Sequence, residues 1–274
     1  MITNTRYAIL GFDGWLGVPA EAYTVPSLMM MNVSGIASEL YLWSTTEFAY
    51  VEIADRYCGT SSIMPQKKNP YTLMWIRGAA ARTYGRLSSY LHEMHDIAMG
   101  YTRQLAPTLD DILEATQIMT GVLASLTLRK ERMLANATNL NWICATDLAD
   151  LIVLEKGLPF RTAHQIVAIL VRIGISRGLT QTGVTAALLD EAATEYMGKP
   201  LGLGEASIRR ALDPAECVKA RQLTGGPSPE RVEEDIARAR ARSERDEATL
   251  AGLGGKLAGA DSMLEQAIDR VVGG

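Results

Sequence analysis

Apolar residues along the chain recur at helical spacing far more than in alternation, and few β-branched alternating runs occur, so the pattern predicts an all-α protein. A first helix is expected to begin near Pro26, a residue suited to a helix's first position, and to run through Leu28, Met31, Ile36, Leu40 and Trp43. Apolar side chains cover most of its circumference, as in a helix surrounded by other helices. A second is expected from Asn69-Pro70, read as N-cap and first helical residue, through Leu73, Ile76, Ala80, Tyr84, Leu87, Leu91 and Met94 to a stop at Gly100. Gly78 and Gly85 weaken that helix by about 1 kcal/mol each relative to Ala, which points to close helix contact there. A third is expected from Pro107, with Asp110, Asp111 and Glu114 near its positive end and Arg129, Lys130 and Arg132 near its negative end.

Beyond Arg129 the segments shorten. Helices are expected over 146–156, stopped by Gly157, over 159–177, stopped by Gly178, and over the charged stretch 229–249, with Gly- and Pro-rich loops between them. The change in style places a boundary near Leu128. Residues 1–128 read as an elongated central helical bundle that includes an irregular segment at 58–70, and residues 129–274 as a small helical C-terminal domain.

Composition narrows the function classes. With 47% hydrophobic residues the chain can bury a sizeable core, and a net charge of −4 argues against a nucleic-acid or anionic-membrane binder. Cys58, Cys144 and Cys217 are odd in number and far apart, matching neither a disulfide framework nor a zinc site, so a reducing, cytoplasmic setting is expected. The longest uncharged stretch, 22–38, is interrupted by Pro26, Asn32 and Gly35 and falls short of a membrane span. The opening MITNTRYAIL lacks the basic-then-apolar pattern of a signal peptide.

The chemistry is concentrated in Gly59-Thr60-Ser61-Ser62-Ile63-Met64-Pro65-Gln66-Lys67-Lys68-Asn69-Pro70. Taken alone, this is a Gly/Ser loop leading into a helix N-terminus, bringing hydroxyls, N–H groups and a lysine to a region that favours an anion. The same pattern also describes an ordinary capped surface loop. Its spacing is not that of a Walker loop.

This loop resembles the signature of the fumarase/aspartase superfamily, and the rest of the chain resembles the argininosuccinate lyases within it. The likeness runs through Ser38-Glu39-Leu40-Tyr41-Leu42-Trp43-Ser44, the stretches 145–150, 156–161 and 163–164, and Gly225 to Val232, which resembles a closing helix hairpin. The resemblance implies a C-terminal two-thirds of such an enzyme, and a reversible elimination that releases fumarate from an N-substituted aspartate. By motif position, Ser61 resembles the base, with Ser62 as its rival. Lys67 and Asn69 resemble the groups that hold the reacting carboxylate, and Ser62, Met64 and Tyr101 also resemble substrate-contacting positions. No metal or organic cofactor is implied. The implied assembly is a homotetramer, or a complex with an N-terminal half that supplies the family's Thr-x-x-His segment.

The sequence departs from the family in three places. Thr60 stands where a Gly usually precedes the serine pair, with Gly59 one place earlier. Ala106 and Leu109 stand where the argininosuccinate lyases carry a Gln and a Lys after the tyrosine. Neither can replace an amide or an ammonium as donor, so an N-substituted aspartate with a different or less polar amine is the expected substrate. An inactive or truncated relative with a structural or regulatory role is the alternative. His92 and His95 lie three apart on the second helix without a third ligand nearby, and His164 is expected on a core-facing helix as a structural residue.

Overall fold

The structure, a computed structural model, describes residues 2–96, 105–139 and 142–272. Among these, helices dominate, joined by one small antiparallel sheet, and the chain divides into two compact units, 1–133 and 134–274.

The first unit is built on three long helices, α1 (Ile2–Trp43), α2 (Tyr71–Asp96) and α3 (Leu105–Ala124). Its core shows why they pair. Met30, Ala37 and Leu40 of α1, Leu73, Ile76 and Ala79 of α2, and Ile112, Ala115, Met119 and Val122 of α3 each recur at three- and four-residue steps and form one buried cluster. Full burial of a side chain such as Leu73 or Ile76 is worth about 1.5–3 kcal/mol. Asp111 of α3 ties the bundle polarly, accepting from Arg82 Nε at 3.1 Å and Arg86 NH1 at 2.7 Å on α2. Strands β1 (Val51–Glu52) and β2 (Thr127–Leu128) pair antiparallel, Val51 opposite Leu128 and Glu52 opposite Thr127. This places Arg129 beside the loop that follows β1.

Three expectations for this unit change. Helix α1 begins at Ile2 rather than near Pro26. Proline in a helix interior costs about 3 kcal/mol, which packing against α2 and α3 offsets; Thr24 and Ser27 hydroxyls donate to the carbonyls of Ala20 and Tyr23 on either side of it. Helix α3 ends at Ala124, so Arg129 does not sit on its last turn; the chain bends into β2, and the Arg129 side chain pairs with Glu52. The close contact expected at Gly78 and Gly85 is not found among the described residues: a Cβ at Gly85 would meet nothing within 4 Å, and one at Gly78 only Arg82 of the same helix, at 3.5 Å. The stop expected at Gly100 lies outside the described residues.

In the second unit, α4 (Lys130–Asn139) leads in, followed by α5 (Ala145–Lys156), α6 (Phe160–Ser176), α7 (Ala186–Met197), α8 (Glu205–Ala211), α9 (Pro214–Ala220) and α10 (Pro229–Val272). Gly157 and Gly198 close α5 and α7 at φ of 65° and 76°, the left-handed turn that glycine takes most cheaply. Leu148, Ile152, Ile166, Leu170, Leu189 and Ile208 anchor the core. Gln181 is buried but satisfied, accepting from the Cys144 N–H at 3.3 Å and donating to the Ala137 carbonyl at 3.0 Å. The closing hairpin is not formed: α10 is a single helix of 44 residues, none of them buried. His164 is exposed against Phe160, because the core-facing stripe of α6 runs through Ala163, Ile166 and Val167 instead.

Candidate functional site

The segment 58–70 leaves β1 through a 3-10 turn at Asp55–Tyr57 and returns at the start of α2. Its two arms are joined at the base. Gly59 N–H donates to the Asn69 carbonyl at 2.7 Å, and Asn69 N–H returns the bond at 3.1 Å. The Thr72 hydroxyl donates to the Tyr57 carbonyl at 2.7 Å, fixing the first turn of α2 to the other arm. That helix begins at Tyr71, one residue later than expected. Asn69 is held through its backbone, and no capping bond from its side chain occurs among the described residues, so its amide stays available.

Ion pairs pin the base further. Lys68 Nζ lies 2.6 Å from Asp55 and 3.1 Å from Glu52, and Arg129 NH2 reaches Glu52 at 2.9 Å. The hydrogen bond from Arg129, with Lys68 beside it, holds the Glu52 carboxyl below its ordinary range. Bonded to Asp55, Lys68 is pushed the other way, toward a more persistent charge. These groups are largely solvated, so each pair is worth only tenths of a kcal/mol to about 1 kcal/mol, and their effect is mainly positional. Lys67 has a different situation. Its N–H donates to the Met64 carbonyl at 3.1 Å, and its ammonium makes no ion pair among the described residues.

Lys67 and Asn69 line a cavity of about 430 Å³ together with Ser44, Thr45 and Thr46 from the end of α1, the Glu52, Lys68 and Arg129 cluster, and Cys58. Glu52 is engaged by Lys68 and Arg129, which leaves Lys67 as the uncommitted cation beside hydroxyls and an amide. Burial pushes the Cys58 thiol up and keeps it protonated. Ala49, in the same wall, sits at φ 50°, a left-handed conformation uncommon outside glycine and found preferentially at functional sites.

Ser61 occupies the other arm and does not line this cavity. Its hydroxyl oxygen accepts from the N–H groups of Ile63 at 3.2 Å and Met64 at 3.1 Å. Two donors aimed at one serine oxygen favour its deprotonated form, the requirement for a serine base. Ser62 and Met64 are exposed at the loop tip. Tyr101 lies outside the described residues. Ala106 and Leu109 are both exposed near the start of α3. His92 is exposed on α2, and no cluster of three metal-ligating side chains occurs among the described residues.

Thus the structure brings Lys67 and Asn69 together and leaves Ser61 apart on the facing arm. Sequence reasoning missed Ser44, Thr45, Thr46, Glu52, Lys68 and Arg129 as residues of this cavity. Only Lys68 carried a signal, its adjacency to Lys67; the others are brought in by the turn after α1 and by the β1–β2 pairing. A larger hollow of about 900 Å³ lies in the second unit, lined by Asp147, Asp150, Arg210 and Arg221 among others. Its principal charges, Asp147 and Arg221, already satisfy one another at 2.6 and 3.1 Å, so the smaller cavity is the better candidate.

The family model described as argininosuccinate lyase C-terminal matches residues 142–219, and the one described as lyase matches residues 18–85, together more than half of the chain. The argininosuccinate lyase of Methanococcoides burtonii is 38% identical over 94% of this chain and 54% of its own length. That of Methanothermobacter thermautotrophicus is 40% identical over 78% of this chain and 47% of its own length. The chain therefore spans about half the length of the curated relatives it matches. Among solved structures, EDDS lyase in complex with formate, and a variant of EDDS lyase with bound fumarate, each superpose with a TM-score of 0.86 at 34% identity, covering 94% of this chain and 53% of theirs. No helix among the described residues is long and apolar enough to cross a membrane. With both family models, the relatives and the solved folds in agreement, this chain belongs to the fumarase/aspartase superfamily as an argininosuccinate lyase-like protein.

Proposed function

We propose that this chain contributes the signature-loop part of a carbon–nitrogen lyase that eliminates an amine from an N-substituted aspartate and releases fumarate. The observation that carries the reading is the cavity lined by the unpaired Lys67 ammonium, the Asn69 amide and the Thr46 hydroxyl, with the Ser44 and Thr45 hydroxyls already given to the Tyr41 and Leu42 carbonyls. A dicarboxylate suits such a set of donors, and fumarate is the ligand in one of the EDDS lyase structures that this fold matches.

The elimination proceeds in two steps. Ser61, its oxygen supported by the Ile63 and Met64 N–H groups, takes the proton from the carbon beside a carboxylate, and the electron pair moves onto that carboxylate as a second negative charge. Lys67 and Asn69 hold that carboxylate, and donors placed where the charge develops lower the barrier by several kcal/mol. The pair then returns to form the carbon–carbon double bond, the carbon–nitrogen bond breaks, and the amine leaves with a proton from a donor group outside this segment. In this account the exposed loop tip closes over the bound substrate, bringing Ser61 to a carboxylate held on the other arm. Ala106 and Leu109 offer no polar donor for the leaving amine, which favours an aspartate whose amine bears a less polar substituent.

Assembly with further chains would supply the proton donor for the leaving amine. Exposed apolar side chains on all three long helices, among them Leu28, Met31, Met74, Leu91 and Leu113, support packing against further copies or against an N-terminal half. The test is fumarate absorbance during cleavage of a panel of N-substituted aspartates by this chain joined with the N-terminal half of a related lyase. Turnover that is lost in Ser61→Ala supports the proposal. A complex that forms yet cleaves no member of the panel overturns it.

A further inference from the structure

Helix α10 is exposed along its whole length, yet its apolar residues keep a strict seven-residue repeat near its C-terminal end. Leu250, Leu257, Leu264 and Val271 fall at one position of the heptad, Leu253, Ala260 and Ala267 at the other, giving alternating steps of three and four over about three heptads. Every leucine of this stripe is at least half exposed, Leu257 by 68%. The helix does not rest on intrinsic propensity. Gly252, Gly254, Gly255 and Gly259 each cost about 1 kcal/mol relative to Ala, and most helical stability in proteins comes from packing of an apolar face. A helix so composed needs its stripe covered.

The flanking charges say by what. We propose that residues 250–271 form a parallel, in-register two-stranded coiled coil with the same segment of a second copy of this chain. In that arrangement each residue flanking the seam on one side faces the residue five places later in the other copy. Lys256 then meets Asp261, and Met263 meets Ile268, so one contact is a charge pair and the other apolar. Thr249 and Gly254 make the remaining, neutral contact. No like charges oppose one another in any of these flanking pairs. Neither Lys256 nor Asp261 makes an ion pair within the chain among the described residues, so both are free for the contact. An antiparallel pair lacks this agreement, since with Leu257 opposite Ala260 the flanking Lys256 faces Met263 and Asp261 faces Gly254, and sliding it by one heptad sets Asp261 against its own copy and Lys256 near Arg270. Ser243 and Asp246, at the upstream seam positions, set the limit of the coil, because two aspartates facing each other across the seam are repelled. The small Ala260 and Ala267 let the two backbones approach closely in the last two heptads.

Site-directed cross-linking in the full chain tests this without reference to catalysis. Ala267→Cys places a thiol in the seam, and Ser262→Cys places one on the outer face of the same helix; the unsubstituted chain controls for the native cysteines. Under mild oxidation Ala267→Cys is expected to form a disulfide-linked dimer at least tenfold faster than Ser262→Cys. Adding Lys256→Glu should slow that dimer several-fold, and adding Asp261→Lys as well should restore it. Equal cross-linking at both positions, which a dimer joined elsewhere would give, overturns the proposal. So does failure of Ala267→Cys to cross-link, whether the stripe is then covered by its own chain, by a different protein or by nothing.

Discussion

Replacing Gly121 by alanine sets two opposite effects against each other in the wall that supports the signature loop. In a helix interior alanine is favoured over glycine by about 1 kcal/mol, so α3 should gain from the change. The structure says otherwise. A Cβ at Gly121 would lie 1.9 Å from the Tyr57 hydroxyl oxygen and 2.8 Å from its ring carbon. An ordinary contact is about 3.5 Å, so the phenol must retreat by roughly 1.6 Å. It has little room, because the Tyr57 ring packs against the bundle core and Arg56 lies 5.1 Å from its centroid on the outside. Overpacking of this kind costs about 1–3 kcal/mol, which cancels or outweighs the gain in propensity and leaves a net loss of about 0–2 kcal/mol. The Tyr57 carbonyl also receives the Thr72 hydroxyl, so its displacement loosens the joint between the loop and α2. Urea denaturation followed by far-ultraviolet circular dichroism measures the change. Gly85→Ala is the control: its Cβ meets nothing within 4 Å, and it should raise stability by about 0.5–1 kcal/mol. If Gly121→Ala is as stable as Gly85→Ala, the packing of Tyr57 against α3 is wrong and the loop is not braced there.

Other predictions concern the rest of the fold. Gly174→Ala places a Cβ 2.4 Å from the Trp142 ring, so after the gain in helix propensity the variant should lose up to about 2 kcal/mol and shift the tryptophan emission, while an unchanged spectrum contradicts that contact. Asp111→Asn removes the shared carboxylate between α2 and α3 and should cost about 1–2 kcal/mol after allowance for the solvated Arg82, with a smaller loss at 1 M salt arguing for surface screening alone. The bond from Arg82 holds the Asp111 carboxyl below its ordinary value of 3.8, so its contribution is fully present above that value and is lost as pH falls through the lower folded value. The wild type should therefore lose more stability than Asp111→Asn between pH 5 and pH 2, and parallel acid profiles would refute the pairing.

The helical character, the core stripes and the glycine stops at 157 and 178 were legible because each is a local signal: a period, or a residue that takes positive φ. Pro26 misled because its preference for a first turn is local, whereas α1 is carried through it by packing against helices that follow much later in the chain. The candidate site divides along the same line. Lys67 and Asn69 stand in a contiguous motif, but Ser44, Glu52 and Arg129 reach the cavity through the turn after α1 and a strand pairing of two residues on each side, and a pairing so short leaves no alternating pattern to read. Lys68 shows the limit within the motif itself. Two adjacent lysines look equivalent in sequence, and only the carboxylates of Glu52 and Asp55 make one structural and leave the other available.

That difference permits the most direct test of the dicarboxylate site. Fumarate binding is measured by titration calorimetry for the chain, for Lys67→Met and for Lys68→Met. A charge-assisted contact in a solvated cavity is worth about 1.5 kcal/mol, so Lys67→Met should weaken binding roughly tenfold or more. Lys68→Met, whose ammonium is spent on Glu52 and Asp55, should weaken it by less. Equal affinity of Lys67→Met and the unsubstituted chain, or no binding of fumarate by the chain at millimolar concentration, would contradict the account.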